Sequence, residues 1–272
     1  MAAEPHIVSM GDCVTSGSYC LHSRFDHAIN FCDGRGIISF VTEKIGSGPN
    51  NIVFGTKAPI QWFRNTEVEI RAYSLHVGDV VIPTSGIPRF NSAVDVPNLA
   101  MPKDGLKIFE QFLMDRAPAR SLCCIFGATK ETAFKTRFEL AVIEAFKEAM
   151  ENLTSGQIRN CIQKVQGLGW GLTPSGDDFI AGLLLGAHAF SKKSVSEIAA
   201  AIDFSKLTKL SAMFLRSAEM GNFSEPWLNL VSAIFSEDSE RINTATQRIL
   251  EIGASSGADM AVGIVASAKM MK

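Results

Sequence analysis

The chain has 272 residues, a formal net charge of −2 and 46% hydrophobic residues. That is enough chain for a sizeable core, in one large domain or two small ones. A charge so near zero argues against a nucleic-acid protein, since no basic stripe is present to neutralise phosphates. No block of like charge marks a tail or a membrane-surface patch. The longest apolar run, Phe179 to Phe190, holds Gly182, Gly186 and His188 and is shorter than the ~20 residues that span a bilayer. The opening MAAEPHIVSMGD has neither a basic n-region nor an apolar h-region, so the cytoplasm is the expected location.

Up to about residue 100 the pattern is strand-like. His27–Cys32 and Gly36–Thr42 flank Asp33-Gly34-Arg35, a hairpin signal. Glu67–Tyr73 alternates as EVEIRAY, and Asp79–Ile82 reads as another short strand. GSGPNN at 46–51 and PTSGIP at 83–88 punctuate them. The expectation for residues 1–100 is a mostly antiparallel sheet or small barrel-like half. The six cysteines, Cys13, Cys20, Cys32, Cys123, Cys124 and Cys161, include no C-x-x-C pair. Cys20, His22, His27 and Cys32 match no usual zinc spacing, so reduced thiols are expected. LCCIF around Cys123 and Cys124 reads as a buried strand.

Pro88–Pro102 is loop-like, and helices dominate from 101 to 272, which makes the fold class α+β. Leu106, Phe109, Phe112 and Leu113 form one apolar stripe, stopped by Pro118. Phe134, Phe138, Ala141, Val142, Ala145 and Ala149 form a second. Ser194-x-x-Glu197 predicts a capping box on a short helix. Leu207, Leu210, Phe214, Leu215 and Ala218 share a face, with Gly221 as the C′ residue. Ser224 caps a helix holding Trp227, Leu230, Val231 and Ile234. Ile242, Ala245, Ile249 and Ile252 define the next, ending at Gly253, and the last helix is expected from Ala258 to Met271.

The chemistry concentrates at GLGWGLTPSGDDFIAG. Gly167, Gly169 and Gly171 alternate, which lets backbone approach a ligand closely and present bare N–H groups. Thr173-Pro174-Ser175-Gly176-Asp177-Asp178 follows, then an apolar helix. Ser175 with Asp178 three residues on has the form of a capping box. A Gly-rich loop entering a helix N-terminus is a ready anion site. The aspartates also fit other roles: a cap stabilised by the helix dipole, a base, or ligands to a metal such as Mg2+. A lone G-x-G-x-G is weak evidence.

A second segment, GASSGADMAVGI at 253–264, repeats the pattern. Ser175, Gly176, Asp178, Phe179, Gly182 and Leu183 align with Ser256, Gly257, Asp259, Met260, Gly263 and Ile264. Two similar caps on crossing helices would give this pattern. So would two helix N-termini converging on one anionic ligand, which also accounts for the matched glycines. Asn50 in GSGPNN and Arg216 beside the Leu207/Leu210 stripe are further candidate substrate contacts. Turns use Asn50's neighbours, and surface faces use arginine, more often than ligand sites do. His188 in its apolar helix reads as a satisfied core histidine. No Walker-type G-K-[ST] is present.

The stretch GLGWGLTPSGDDFIAG resembles a bacterial family whose signature is a Gly-rich turn, LTPSGDD and an apolar helix. The family includes the AllH subunit of oxamate carbamoyltransferase. LSAMFLRSAEMG at 210–221, GASSGADMAVG at 253–263 and the sheet half with GSGPNN extend the resemblance. Trp170 departs from it, because proline is expected there. The resemblance implies exchange of oxalurate and phosphate with oxamate and carbamoyl phosphate, in anaerobic allantoin breakdown. It also implies FdrA-like and AllG-like partner subunits, and no redox cofactor. All four reactants are small anions, and carbamoyl transfer needs dipoles aimed at developing charge.

In the first reading, then, the chain is a carbamoyltransferase subunit. Asp177, Asp178 and Asp259 are its catalytic candidates, and Gly169, Gly171, Thr173, Ser175, Gly176, Ser256, Gly257, Asn50 and Arg216 bind substrate. An anion-binding or assembly subunit without catalysis is the alternative, and a metal-dependent hydrolase or carboxylase-like enzyme a third. The geometric expectation is that Ser175–Asp178 and Ser256–Asp259 face one shared pocket, where the sheet half, through Asn50, closes over the helical half.

Overall fold

Alternation decides the first half. In Glu67–Arg71 the apolar Val68 and Ile70 point to the core while the flanking charges stay out. The computed structural model describes residues 6–55, 66–96, 100–127 and 133–270. Among these, nine strands form one curled half-barrel sheet. They are β1 Ile7–Gly11, β2 Gly17–Arg24, β3 Ala28–Cys32, β4 Ile37–Thr42, β5 Asn51–Phe54, β6 Glu67–Arg71, β7 Ser74–Val77, β8 Val80–Pro83 and β9 Arg89–Phe90. The order is β8-β7-β6-β2-β3-β4-β5-β1-β9. Only β4–β5 and β1–β9 pair in parallel; the other neighbours are antiparallel. The β3–β4 hairpin turns where expected: Asp33 Oδ1 accepts from the N–H groups of Arg35 and Gly36 (2.8 and 2.6 Å), and Gly34 takes φ +85°. Phe31, Phe40 and Phe54 stack in sequence across β3, β4 and β5, with ring centroids 4.8 and 5.2 Å apart.

The chain divides into two compact units, Met1–Ala93 with Asn222–Glu225, and Val94–Gly221 with Pro226–Lys272. The short 222–225 segment joins the sheet unit through backbone: Asn222 bridges Ala93, Phe223 N–H donates to Ser92 (2.8 Å) and Glu225 N–H to Ser47 (3.0 Å). Phe223 is buried there. No local pattern announces this excursion.

The second unit is helical: α1 Lys103–Arg116, α2 Arg137–Thr154, α3 Ile158–Val165, α4 Ser175–Phe190, α5 Lys192–Ala201, α6 Lys209–Glu219, α7 Glu225–Ser236, α8 Ser239–Leu250 and α9 Ser256–Met270. Helices α4 and α9 are its axis. Both are apolar on all sides after their first turns and buried almost end to end, as a core helix must be. The other helices are amphipathic and cover them. None of the described helices is long and apolar enough to cross a membrane.

Several local expectations give way to packing. LCCIF is not a strand but a 3-10 turn, Leu122–Phe126, with Leu122, Cys123 and Cys124 buried. Its first N–H is taken by a distant carboxylate, which no strand pattern foresees. Helix α2 buries Val142, Ile143, Phe146, Ala149 and Leu153, whereas Phe138 is 60% exposed and Phe134 precedes the helix. Thr136 and Glu139 cap it reciprocally. Helix α5 begins at Lys192, ahead of Ser194, and its first residues carry no Ser194/Glu197 capping box. Helix α9 begins at Ser256 rather than Ala258.

Candidate functional site

The two S-G-x-D segments are the ends of one construction made twice. At the end of α3 the Val165 carbonyl accepts from Leu168 N–H (2.9 Å), and the Leu168 carbonyl accepts from Gly176 N–H (2.8 Å). At the end of α8 the Ile249 carbonyl accepts from Ile252 N–H (3.1 Å), and the Ile252 carbonyl accepts from Gly257 N–H (3.0 Å). Gly167 and Gly253 turn the chain with φ +71° and +62°. A Cβ on Gly176 would lie 1.7 Å from the Val165 carbonyl oxygen, and one on Gly257 1.8 Å from that of Ile249. Both glycines are therefore required by close backbone approach.

One turn further in, the helices touch. A Cβ on Gly182 would meet the Met260 carbonyl oxygen at 1.9 Å, and one on Gly263 that of Phe179 at 2.1 Å. This contact brings the two first turns together. The Ser256 hydroxyl lies against Asp178, while the Ser175 hydroxyl lies against Asp259 without completing a hydrogen bond. Each serine thus faces the aspartate of the other segment.

The aspartates are held unequally. Asp259 accepts from Leu122 N–H at Oδ1 (2.7 Å) and from Ser255 Oγ at Oδ2 (3.0 Å). Asp177 accepts from Gly167 N–H at Oδ1 (2.8 Å), with Ser211 of α6 beside it, and leaves Oδ2 bare. Asp178 has Thr173 and Ser256 against it and also leaves Oδ2 bare. All three are buried. Burial pushes the Asp178 carboxyl up to about 8, with the charges of Asp259 and Asp177 adding to it and the two hydroxyls opposing. Burial pushes Asp259 up to about 6 against Leu122 N–H, Ser175 and Ser255. Asp177 is raised by burial, opposed by Ser211 and Gly167. At neutral pH Asp178 is thus mostly the neutral acid.

Five backbone donors of these first turns are occupied. Gly176, Asp177 and Asp178 N–H donate to Leu168, Pro174 and Pro174 carbonyls; Gly257 and Asp259 N–H donate to Ile252 and Ser255 carbonyls. Ser175 is the first residue of α4 and Pro174 its N-cap, with no side-chain capping bond. The bare atoms of the cluster are oxygens. Among the described residues no group of three or more His, Cys, Asp or Glu side chains is placed to hold a metal ion.

The Gly-rich loop covers this cluster. Gly169 (φ +118°) packs its bare Cα on Ser175, where a Cβ would come within 2.7 Å. Gly171 (φ +98°) is exposed and Thr173 half-buried. Trp170 fastens the loop by an Nε1–H bond to Ser255 Oγ (3.3 Å) and by its ring on Phe134. Two other candidates have other partners. Arg216 is exposed on α6 with its guanidinium 4.2 Å over the Phe204 ring. Asn50 belongs to the sheet unit, where its carbonyl accepts from Ser39 N–H (2.9 Å). His188 bonds the Glu219 carbonyl, as a core histidine does. Ser255, Ser211 and the Leu122 N–H were not foreseen. The doubled Ser255-Ser256 is a visible signal for the first; the other two come from distant segments.

A surface groove of about 480 Å³ lies on α7 and α8, lined in part by Asn229, Ser232, Arg241 and Arg248. None of the bare buried oxygens belongs to it.

These features define an α+β protein whose helical unit carries two cross-facing S-G-x-D helix starts under a Gly-rich loop. Residues 165–268, which contain both starts, match the model of the family described as oxamate carbamoyltransferase subunit AllH. The likeness seen in LTPSGDD extends over that stretch. No solved structure matches the chain.

Proposed function

We propose that this chain is a subunit of an oxamate carbamoyltransferase of anaerobic allantoin breakdown, converting oxalurate and phosphate to oxamate and carbamoyl phosphate. It works in the cytoplasm with FdrA-like and AllG-like subunits. The observation that carries the reading is that the matched stretch 165–268 coincides with the cross-facing pairs Ser175/Asp259 and Ser256/Asp178.

In this transfer a phosphate oxygen attacks the ureido carbonyl carbon, the C–N bond to the oxamate nitrogen breaks, and that nitrogen gains a proton. A buried carboxylic acid with a bare oxygen and a pKa near working pH suits the last step. Asp178 has this character because burial raises its carboxyl, with the charges of Asp259 and Asp177 adding to the effect. Gly169, Gly171, Thr173, Ser175, Gly176, Ser256 and Gly257 shape the place where the ureido group lies. The competing reading, an assembly subunit with catalysis elsewhere, draws on the near-complete burial of the three aspartates.

The test is carbamoyl phosphate formation from oxalurate and phosphate, with the chain alone and with its partners. Asp178→Asn in the complete assembly is expected to lower turnover at least a hundredfold, within the usual range for a lost general acid. Wild-type turnover by that assembly would assign the chain to assembly alone.

A further inference from the structure

Cys20 and Cys32 lie directly opposite one another on the antiparallel neighbours β2 and β3. Opposite residues of such a pair carry their side chains on the same face of the sheet. Cys20 is exposed and Cys32 half-buried, so solvent reaches both. Two backbone bonds fix the kind of opposition. Leu21 N–H donates to the Thr66 carbonyl (2.6 Å), on the β6 side of β2. Asp33 N–H donates to the Gly36 carbonyl (3.2 Å), on the β4 side of β3. Successive residues of a strand turn their backbone groups to opposite neighbours, so Cys20 and Cys32, one residue earlier, turn theirs to each other. A hydrogen-bonded pair of this kind separates its Cα atoms by about 5.5 Å. Disulfides most often span about 5.5–6 Å. The Cβ atoms of opposite residues stand about 4.5–5.5 Å apart, against about 3.5–4.5 Å in a disulfide, so closure needs a small local adjustment. Next to the pair the β2 register shifts between Leu21 and Ser23, so the ladder is already interrupted where that adjustment falls.

We infer that Cys20 and Cys32 form a dithiol modification site, closed reversibly by small-molecule disulfides of the glutathione class. First, the thiolate of one cysteine attacks a sulfur of the reagent. The reagent S–S bond breaks, a mixed disulfide forms and one reagent thiolate leaves. The facing cysteine then attacks the protein sulfur of that mixed disulfide. The Cys20–Cys32 bond forms and the second reagent thiolate leaves. Two protein thiols are oxidised, one reagent disulfide is reduced, and the two departing thiolates take up the two protons the cysteines lose. An exposed bond that draws its Cβ atoms together is readily reduced. A reducing compartment therefore holds the site as two thiols, and a rise in disulfide closes it. The other cysteines are set differently: Cys123, Cys124 and Cys161 are buried, and Cys13 Sγ accepts from the Asn222 amide (3.4 Å).

The experiment treats the full chain with oxidised glutathione, quenches it in acid, alkylates the remaining thiols and reads mass before and after trypsin. In the wild type two thiols should disappear without lasting glutathione adducts, and reduced glutathione should restore them. Trypsin cuts after Arg24, between the two cysteines, so the bond should join residues 1–24 to residues 25–35. Cys13 shares the first of these peptides, and Cys13→Ser should leave the link in place. Cys20→Ser and Cys32→Ser should each hold a glutathione adduct on the remaining cysteine, lasting roughly tenfold longer or more than any adduct on the wild type. A second probe needs no variant: phenylarsine oxide should bridge the two sulfurs of the wild type, one arsenic per chain, with loss of one water. Four results would each overturn the inference. They are wild-type adducts as long-lived as those of the two variants, a link lost in Cys13→Ser, Cys20 and Cys32 left as free thiols throughout, and no arsenic bridge between them.

Discussion

Asp178 and Asp259 occupy matching positions at the starts of α4 and α9, yet their carboxyls live differently. Asp259 has both oxygens bonded, one to a backbone N–H from the Leu122–Phe126 turn and one to Ser255. Asp178 has one bare oxygen and the higher pKa, about 8 against about 6. The backbone beneath them is the same, down to the carbonyls that receive Gly176 and Gly257. So the repeat supplies two equivalent frames, and only one is tied off by its surroundings. A satisfied buried carboxyl stabilises structure, whereas an unsatisfied one persists against its own cost and points to a ligand.

The largest expected effect strikes what the two frames share. Gly182→Leu and Gly263→Leu each drive a side chain into the facing helix backbone, where even a Cβ would sit about 2 Å from a carbonyl oxygen. Overpacking usually costs about 1–3 kcal/mol. Here the rigid partner on both sides argues for the upper end, or a melting midpoint lowered by roughly 6 °C or more. Because the contact is mutual, the two losses should be similar. An unchanged midpoint in either variant would refute the shared axis.

This axis was legible in the sequence because its code is local: a serine, a glycine and an aspartate at fixed spacing, with another glycine a turn on, written twice. The hairpin at Asp33-Gly34 and the helical faces of α1 and α7 were legible for the same reason, since periodicity and turn chemistry are local. What escaped was set by distant partners. LCCIF carries a strand's composition, but Asp259 claims its leading N–H and the segment coils into a 3-10 turn. Ser194 and Glu197 have a capping box's spacing, but Ser191 leaves the preceding helix in an extended conformation and α5 starts ahead of them. Phe138 fits a helical stripe by spacing, but the buried face is set by what α2 packs on. The occupied N–H groups of Gly176 and Gly257 also escaped, because the carbonyls that take them, those of Leu168 and Ile252, come from the turns after α3 and α8.

An intermediate effect separates the two aspartates by pH. Both carboxyls titrate in the fold above their ordinary value of 3.8. Between that value and the folded pKa the native state holds protons that the unfolded chain has released. These groups therefore favour the fold most at acid pH, and their contribution is lost as pH rises through about 6 for Asp259 and about 8 for Asp178. Asp178→Asn, which keeps the shape of the neutral acid, should flatten stability against pH up to about pH 8, by at most roughly 1.4 kcal/mol per pH unit. Asp259→Asn should flatten it only below about pH 6. Urea unfolding from pH 5 to pH 9 reads both slopes; parallel curves for wild type and Asp178→Asn would mean that Asp178 is not held neutral.

The smallest effect falls on the serines, and it sharpens the comparison most. Ser255 Oγ donates to Asp259 and accepts from Trp170 Nε1–H, so Ser255→Ala removes two bonds and leaves a buried carboxyl oxygen unmet. That should cost about 1–3 kcal/mol. Ser175 Oγ is equally buried and bonds nothing, so Ser175→Ala removes a hydroxyl whose burial is already uncompensated. Its stability change should stay within about 0.5 kcal/mol of zero, or be slightly favourable. Chemical denaturation of the two variants side by side resolves such a difference. Equal, substantial losses would show that the Ser175 hydroxyl is bonded in solution, and that the α4 frame is tied off as firmly as the α9 frame. A neutral Ser175→Ala beside a costly Ser255→Ala would mean that the Ser175 hydroxyl is kept in the core for something other than stability.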